Sequence, residues 1–206
     1  MVNCYNPTML ILNMALWALL WLVANMAGFF VGSVLGATDG GAIPAFMTGV
    51  WERPGLIVGD LVFGACIGLA QWLALRLMLW RNLSPYWVVL TAFGFLVGAR
   101  LGPIISFRVT SLAAFLPIVF GIVMGTAQGV ATWLLLRRRV ALAGRWIIVV
   151  ALAWIVGEVI AFSLAFNHLG TPLVGAAVAV VTGLFLTTLR RPTELAEMAE
   201  PQATPN

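Results

Sequence analysis

Charge is what this chain has least of. Only 9% of its 206 residues are Asp, Glu, Lys or Arg, while 62% are hydrophobic. A soluble domain carries about 25% charged residues, so this composition excludes a water-facing surface of ordinary size. Lysine is absent: all eleven basic residues are Arg. The net charge of +4 would suggest nucleic acid in a soluble chain. In an apolar chain such arginines are membrane-orienting loop charges, and no nucleic acid partner is expected. A single histidine, His168, excludes an antenna protein that holds several pigments through histidine. The two cysteines, Cys4 and Cys66, have no metal-ligand spacing and are not expected to pair. Gly-x-Ser-x-Gly, His-Glu-x-x-His, Walker A and Cys-x-x-Cys motifs are all missing. No catalytic residue, metal or required cofactor is therefore expected, and the chain reads as a non-enzyme.

Runs of about 20 apolar residues, the length of a membrane-crossing helix, fill most of the chain. Backbone groups find no water inside lipid, so these runs must be helical. Six spans are expected, at about 9–36, 56–80, 86–108, 112–136, 146–167 and 172–190. The class is all-α: a polytopic membrane domain over residues 1–191, then an acidic tail over 192–206 that carries Glu194, Glu197 and Glu200. The first run is too long for a signal-peptide core and has no basic segment before it, so it reads as retained. Arg76, Arg81, Arg137, Arg138, Arg139, Arg145, Arg190 and Arg191 fall on one side of the spans. The positive-inside rule then puts both termini in the cytoplasm, with the chain in the inner (plasma) membrane.

The spans repeat. Gly28-Phe29-Phe30-Val31-Gly32-Ser33-Val34-Leu35-Gly36 returns as Gly94-Phe95-Leu96-Val97-Gly98-Ala99-Arg100-Leu101-Gly102, and again as Ala153-Trp154-Ile155-Val156-Gly157-Glu158-Val159-Ile160-Ala161. The even spans match each other through Gly64 to Gln71 and Gly121 to Gln128, and more weakly through Gly175 to Thr182. This pattern predicts three helical hairpins in series, all in one orientation, like the parallel repeats of some transporters. Small residues four apart share a helix face and allow close approach of backbones. The expectation is that the three odd helices pack on one another through these faces.

Polar side chains inside the spans are few. Asp60, Arg100 and Glu158 each cost about 2.5–3.5 kcal/mol at a helix centre, so they form a candidate intramembrane cluster. Arg100 and Glu158 lie at similar depth and could pair, with Asp60 nearer the outer mouth. Such a cluster reads either as a structural ion pair or as a polar site opening outward. Asn25, Gln71 and Gln128 are candidate interhelical amides. His168, beside Asn167, reads as a solvated turn residue. Trp51, Trp80, Trp87 and Trp146 sit near span ends, as an interfacial belt would; Trp17, Trp21, Trp72, Trp133 and Trp154 read as packing residues.

The segment Gly68-Leu69-Ala70-Gln71-Trp72-Leu73-Ala74-Leu75-Arg76, followed by Trp87 and Thr91-Ala92-Phe93-Gly94, resembles a group of uncharacterised bacterial multi-pass membrane proteins. That group carries a Gly-Leu-x-Gln-Trp-Leu-x-Leu-Arg segment leading into a Gly-rich helix. The resemblance covers about residues 60–102 and implies a membrane protein of this type, with no particular activity.

These features allow two functions, a membrane-complex subunit as the preferred reading and a transporter or channel as the alternative. Short loops and few polar residues fit a non-catalytic integral subunit, packed against other membrane subunits of a larger complex, bioenergetic or pigment-associated. The parallel repeats and the Asp60/Arg100/Glu158 cluster fit a small-solute or ion transporter. Both put the chain in a lipid bilayer.

Overall fold

The computed structural model describes residues 7–36, 52–110, 112–140, 142–163 and 170–187. Cys4, Trp51, His168, Arg190, Arg191 and the 192–206 tail lie outside the described residues. Six α-helices are formed: α1 (Pro7–Gly36), α2 (Glu52–Met78), α3 (Tyr86–Val109), α4 (Leu116–Leu136), α5 (Arg145–Ser163) and α6 (Thr171–Leu186). A single 3-10 turn, Ala113–Phe115, leads into α4. No strand occurs among the described residues. The first five helices are long and apolar enough to cross a membrane, and α6 is a shorter apolar helix of 16 residues. Prolines mark several starts: Pro85 caps α3, and α4 and α6 each carry Pro in the first turn, where a missing amide hydrogen costs no helical bond.

Each helix packs on its predecessor and successor in the chain, and α6 returns to α1, which closes a six-helix ring. Among the described residues no two helix backbones come close across the ring, where only side chains meet. This corrects the expectation about the small-residue faces. The odd helices do not meet through them. In α1, Gly28 faces Ile67 and Gly32 faces Phe63, both on α2; in α3, Gly94 and Gly98 face Gln128 and Met124 on α4; in α5, Gly157 faces Val174 on α6. The even helices send their glycines the other way: Gly64 and Gly68 face α3, Gly121 and Gly129 face α5, and Gly175 faces Asn25 and Met26 of α1. Small residues therefore line the seams between chain neighbours, where lipid supplies no hydrophobic drive and close approach must hold the helices together.

Aromatic side chains hold the odd helices apart. Phe29, Phe95 and Trp154, each next to the first small residue of its segment, point into the ring. Trp154 has its ring centre 5.4 Å from that of Phe29 and 5.9 Å from that of Phe95. Phe63 of α2 joins them, stacked on Phe95 at 4.6 Å and edge-on to Phe29 at 6.0 Å. The outer faces carry Leu16, Leu19, Val23, Leu69, Phe93, Ile148 and Leu184, all exposed and apolar, as lipid contact requires. The outer faces are thus apolar, whereas the interior combines aromatic side chains and glycines with the few buried polar residues, among them Asn25, Asp60, Gln71, Gln128 and Glu158.

Candidate functional site: a cavity at Glu158

Below the aromatic cluster, toward the arginine-rich turns, lies a belt of buried hydrogen bonds. Asn25 donates to the Trp21 carbonyl (2.9 Å), Gln71 donates to Asn25 Oδ1 (2.8 Å), and Trp87 Nε1 donates to Gln71 Oε1 (3.4 Å), so one chain of bonds joins α1, α2 and α3. On the other side of the ring Trp154 Nε1 donates to Gln128 Oε1, and Trp146 Nε1 donates to Thr132 Oγ1 at 2.8 Å. Trp21 Nε1 donates to Thr182 Oγ1 at 3.0 Å across the seam between α1 and α6.

Sequence reasoning missed these tryptophans. Trp80, Trp87 and Trp146 are buried, not interfacial. The signal was present: Trp21, Trp87 and Trp146 each stand eight residues before Phe29, Phe95 and Trp154 in the aligned segments. Gln71→Leu should strand Asn25 Oδ1 and Trp87 Nε1 and lower stability by about 1 kcal/mol, the usual scale for an interhelical polar contact in lipid. Denaturant titration in detergent micelles measures this.

On the opposite side of the aromatic cluster the ring encloses a cavity of about 350 Å³. Its lining includes Asp60 from α2, Arg100 from α3 and Glu158 from α5, so all three ionisable residues picked from the sequence reach one space. Leu56, Pro103, Phe120 and Thr171 also line it, and these lie near the helix ends away from the arginine-rich turns.

Arg100 does not pair with Glu158. Its Nε donates to Asp60 Oδ2 at 2.6 Å, Nη2 donates to the same oxygen, and Nη2 also donates to the Leu56 carbonyl at 3.0 Å. The cause is helix order. α2 adjoins α3, whereas α4 stands between α3 and α5. The Asp60 side chain is 5% exposed and that of Arg100 38%, so the guanidinium reaches toward the open end while the carboxylate is enclosed.

Glu158 is therefore left over. The residue is 1% exposed, and its Oε2 has no hydrogen-bond partner among the described residues. Neighbouring seams are satisfied at the corresponding level. Thr171 of α6 donates to Ser33 of α1 at 3.0 Å, and Asp60 of α2 holds Arg100 of α3. In the even-helix alignment, Asp60 and Thr171 correspond to Pro117 of α4. Proline offers neither a side-chain donor nor an amide hydrogen. Pro103 in α3 adds a second irregularity, since it cannot give the Ala99 carbonyl its intrahelical bond, and both residues line the cavity.

Among the described residues no group of three His, Cys, Asp or Glu side chains is placed to hold a metal ion. What the site offers is one unmatched buried carboxylate, one neutral ion pair and five aromatic rings, those of Phe29, Phe63, Phe95, Phe120 and Trp154. Comparison with protein-family models, curated proteins and solved structures gave no match.

Proposed function

We propose that this protein is a small-solute or ion transporter of the plasma membrane, built from three parallel hairpins around a central site at Glu158. The observation that carries this reading is the buried, unpartnered Glu158 carboxylate in a cavity near one end of the ring. An ionisable residue inside a membrane is costly, and where it is retained without a protein partner it marks an ion or substrate path. A purely structural cluster would match its charges; here Arg100 is consumed by Asp60. The hairpin reading draws on Phe29, Phe95 and Trp154, which come from aligned segments and converge inside the ring. With the arginine-rich turns in the cytoplasm, the cavity opens to the outer side. The rival reading, a subunit of a larger membrane complex, has no feature of its own on the described surface, because lipid alone demands the same apolar outer faces.

Proteoliposomes challenged with inorganic ions, amines and neutral solutes test the reading. At least one solute should give a protein-dependent flux that Glu158→Gln removes while the helical circular dichroism stays unchanged. Flux that survives Glu158→Gln, or no protein-dependent flux across the whole panel, would falsify it.

A further inference from the structure

We infer that the occupant of the cavity is a small organic monocation, an alkylated ammonium group held against the Glu158 carboxylate and the faces of the surrounding rings. The inference rests on the transporter reading above and names the chemistry of its site.

The sign of the charge follows from the balance of the site. Asp60 and Arg100 neutralise one another, so the ionised cavity carries the single negative charge of Glu158. An anion would meet that charge with Arg100 already engaged by Asp60 and the Leu56 carbonyl. A cation instead supplies the missing partner to Oε2.

The organic character follows from the rest of the lining. A bare metal ion needs several oxygen ligands at short range. Beyond the committed Asp60, the lining adds only the Thr171 hydroxyl, which donates to Ser33, and the Ala99 carbonyl to a set of otherwise aromatic and apolar neighbours, and the described residues hold no metal-binding group of three. Ring faces do attract alkylammonium groups, through the negative potential of the π system and through contact with the alkyl carbons. Phe95, Phe63, Phe29 and Trp154 already hold one another in tilted, edge-on and stacked contacts. The cage is thus ordered before a ligand arrives, and little side-chain freedom remains to be lost on binding.

Size limits the choice further. A cavity of about 350 Å³ stands at the small end of ligand sites, which run from about 300 to 1,000 Å³. It fits methyl- or ethyl-substituted ammonium ions better than drug-sized cations.

The test is equilibrium binding to the full-length protein in lipid nanodiscs, with tetramethylammonium, choline and tetraethylammonium as probes. 3,3-Dimethylbutan-1-ol, the uncharged isostere of choline, is the control. At least one ammonium probe should bind saturably, and choline should outcompete its isostere. Glu158→Gln should weaken binding by about thirtyfold or more, the scale for truncating a desolvated charge pair. Glu158→Asp keeps the charge and should retain most of the affinity. Trp154→Leu should weaken binding about fivefold to thirtyfold, the range of a cation–ring contact, and Trp154→Phe should restore most of it. Equal binding of choline and its isostere, or no ammonium binding while proteoliposomes still show a Glu158-dependent flux, overturns the organic-cation assignment and leaves the transporter reading standing. No binding by any probe, together with no flux in proteoliposomes, overturns both.

Discussion

Arg100→Met should destabilise the protein by about 1–3 kcal/mol, the cost of leaving an enclosed carboxylate unsatisfied, and less than a fully buried pair would lose because the Arg100 side chain is 38% exposed. The side chain of Asp60 is 5% exposed and takes both guanidinium donors on a single oxygen. Without Arg100 that carboxylate loses the only cation that an ion pair among the described residues gives it. The double variant Asp60→Leu/Arg100→Met should recover most of the loss, because well-packed apolar replacements of buried pairs are often neutral or better. Chemical denaturation of the purified protein in detergent measures all three proteins in one series. A single variant as stable as wild type would show that the pair contributes nothing to folding.

The second large effect is steric. A Cβ placed on Gly121 would lie 2.6 Å from the Ile155 Cα and 2.7 Å from the Ile155 nitrogen. Both are backbone atoms of a neighbouring helix and cannot turn aside. Gly121→Leu should therefore force α4 and α5 apart at about 3 kcal/mol or more, the upper end of overpacking costs. Gly144, in the turn before α5, has nothing within 4 Å of the same construction. Gly144→Ala should stay within about 0.5 kcal/mol of wild type, as exposed substitutions do. Thermal melts followed by circular dichroism should rank the two far apart. A Gly121→Leu protein that melts with wild type would show that the α4/α5 seam is looser than its backbone contacts indicate.

The helical architecture was legible in the sequence because lipid leaves the backbone no alternative. The expected spans and the observed helices agree to within about four residues at the ends the structure describes. Partner choice was not legible. A glycine every fourth residue says that some backbone comes close; it does not say whose, and the odd helices turned out to face their chain neighbours. Arg100 stands one residue from the position aligned with Glu158, and one residue turns a helix by about 100°. That offset aims the guanidinium at Asp60 on α2 rather than at Glu158, which no comparison of depths along the spans could reveal. Trp87 and Trp146 were misread for a related reason. Nearness to a helix end suggests an interfacial tryptophan, yet each indole donates to a buried acceptor, Gln71 or Thr132. Their alignment with Trp21 was the available clue, since a residue repeated at one level of every odd segment is better explained by a shared interior position than by three separate contacts with lipid headgroups.

The ring has a consequence for biogenesis. Five of its six seams join helices adjacent in the chain, so each new helix leaving the translocon finds its packing partner already in the membrane. Such local contacts carry a small entropic penalty and form fast. Only the seam between α6 and α1 must wait. It is fastened by the Trp21–Thr182 and Thr171–Ser33 bonds and by the close approach of Gly175 to Asn25. Thr171 and Val174 of α6 also form part of the cavity wall. A nascent chain that has inserted five helices is a nearly complete ring with its central chamber open to lipid along one side. Glu158 is by then already in the membrane, so the acid spends the interval before α6 docks facing hydrocarbon or whatever lipid headgroup can reach it.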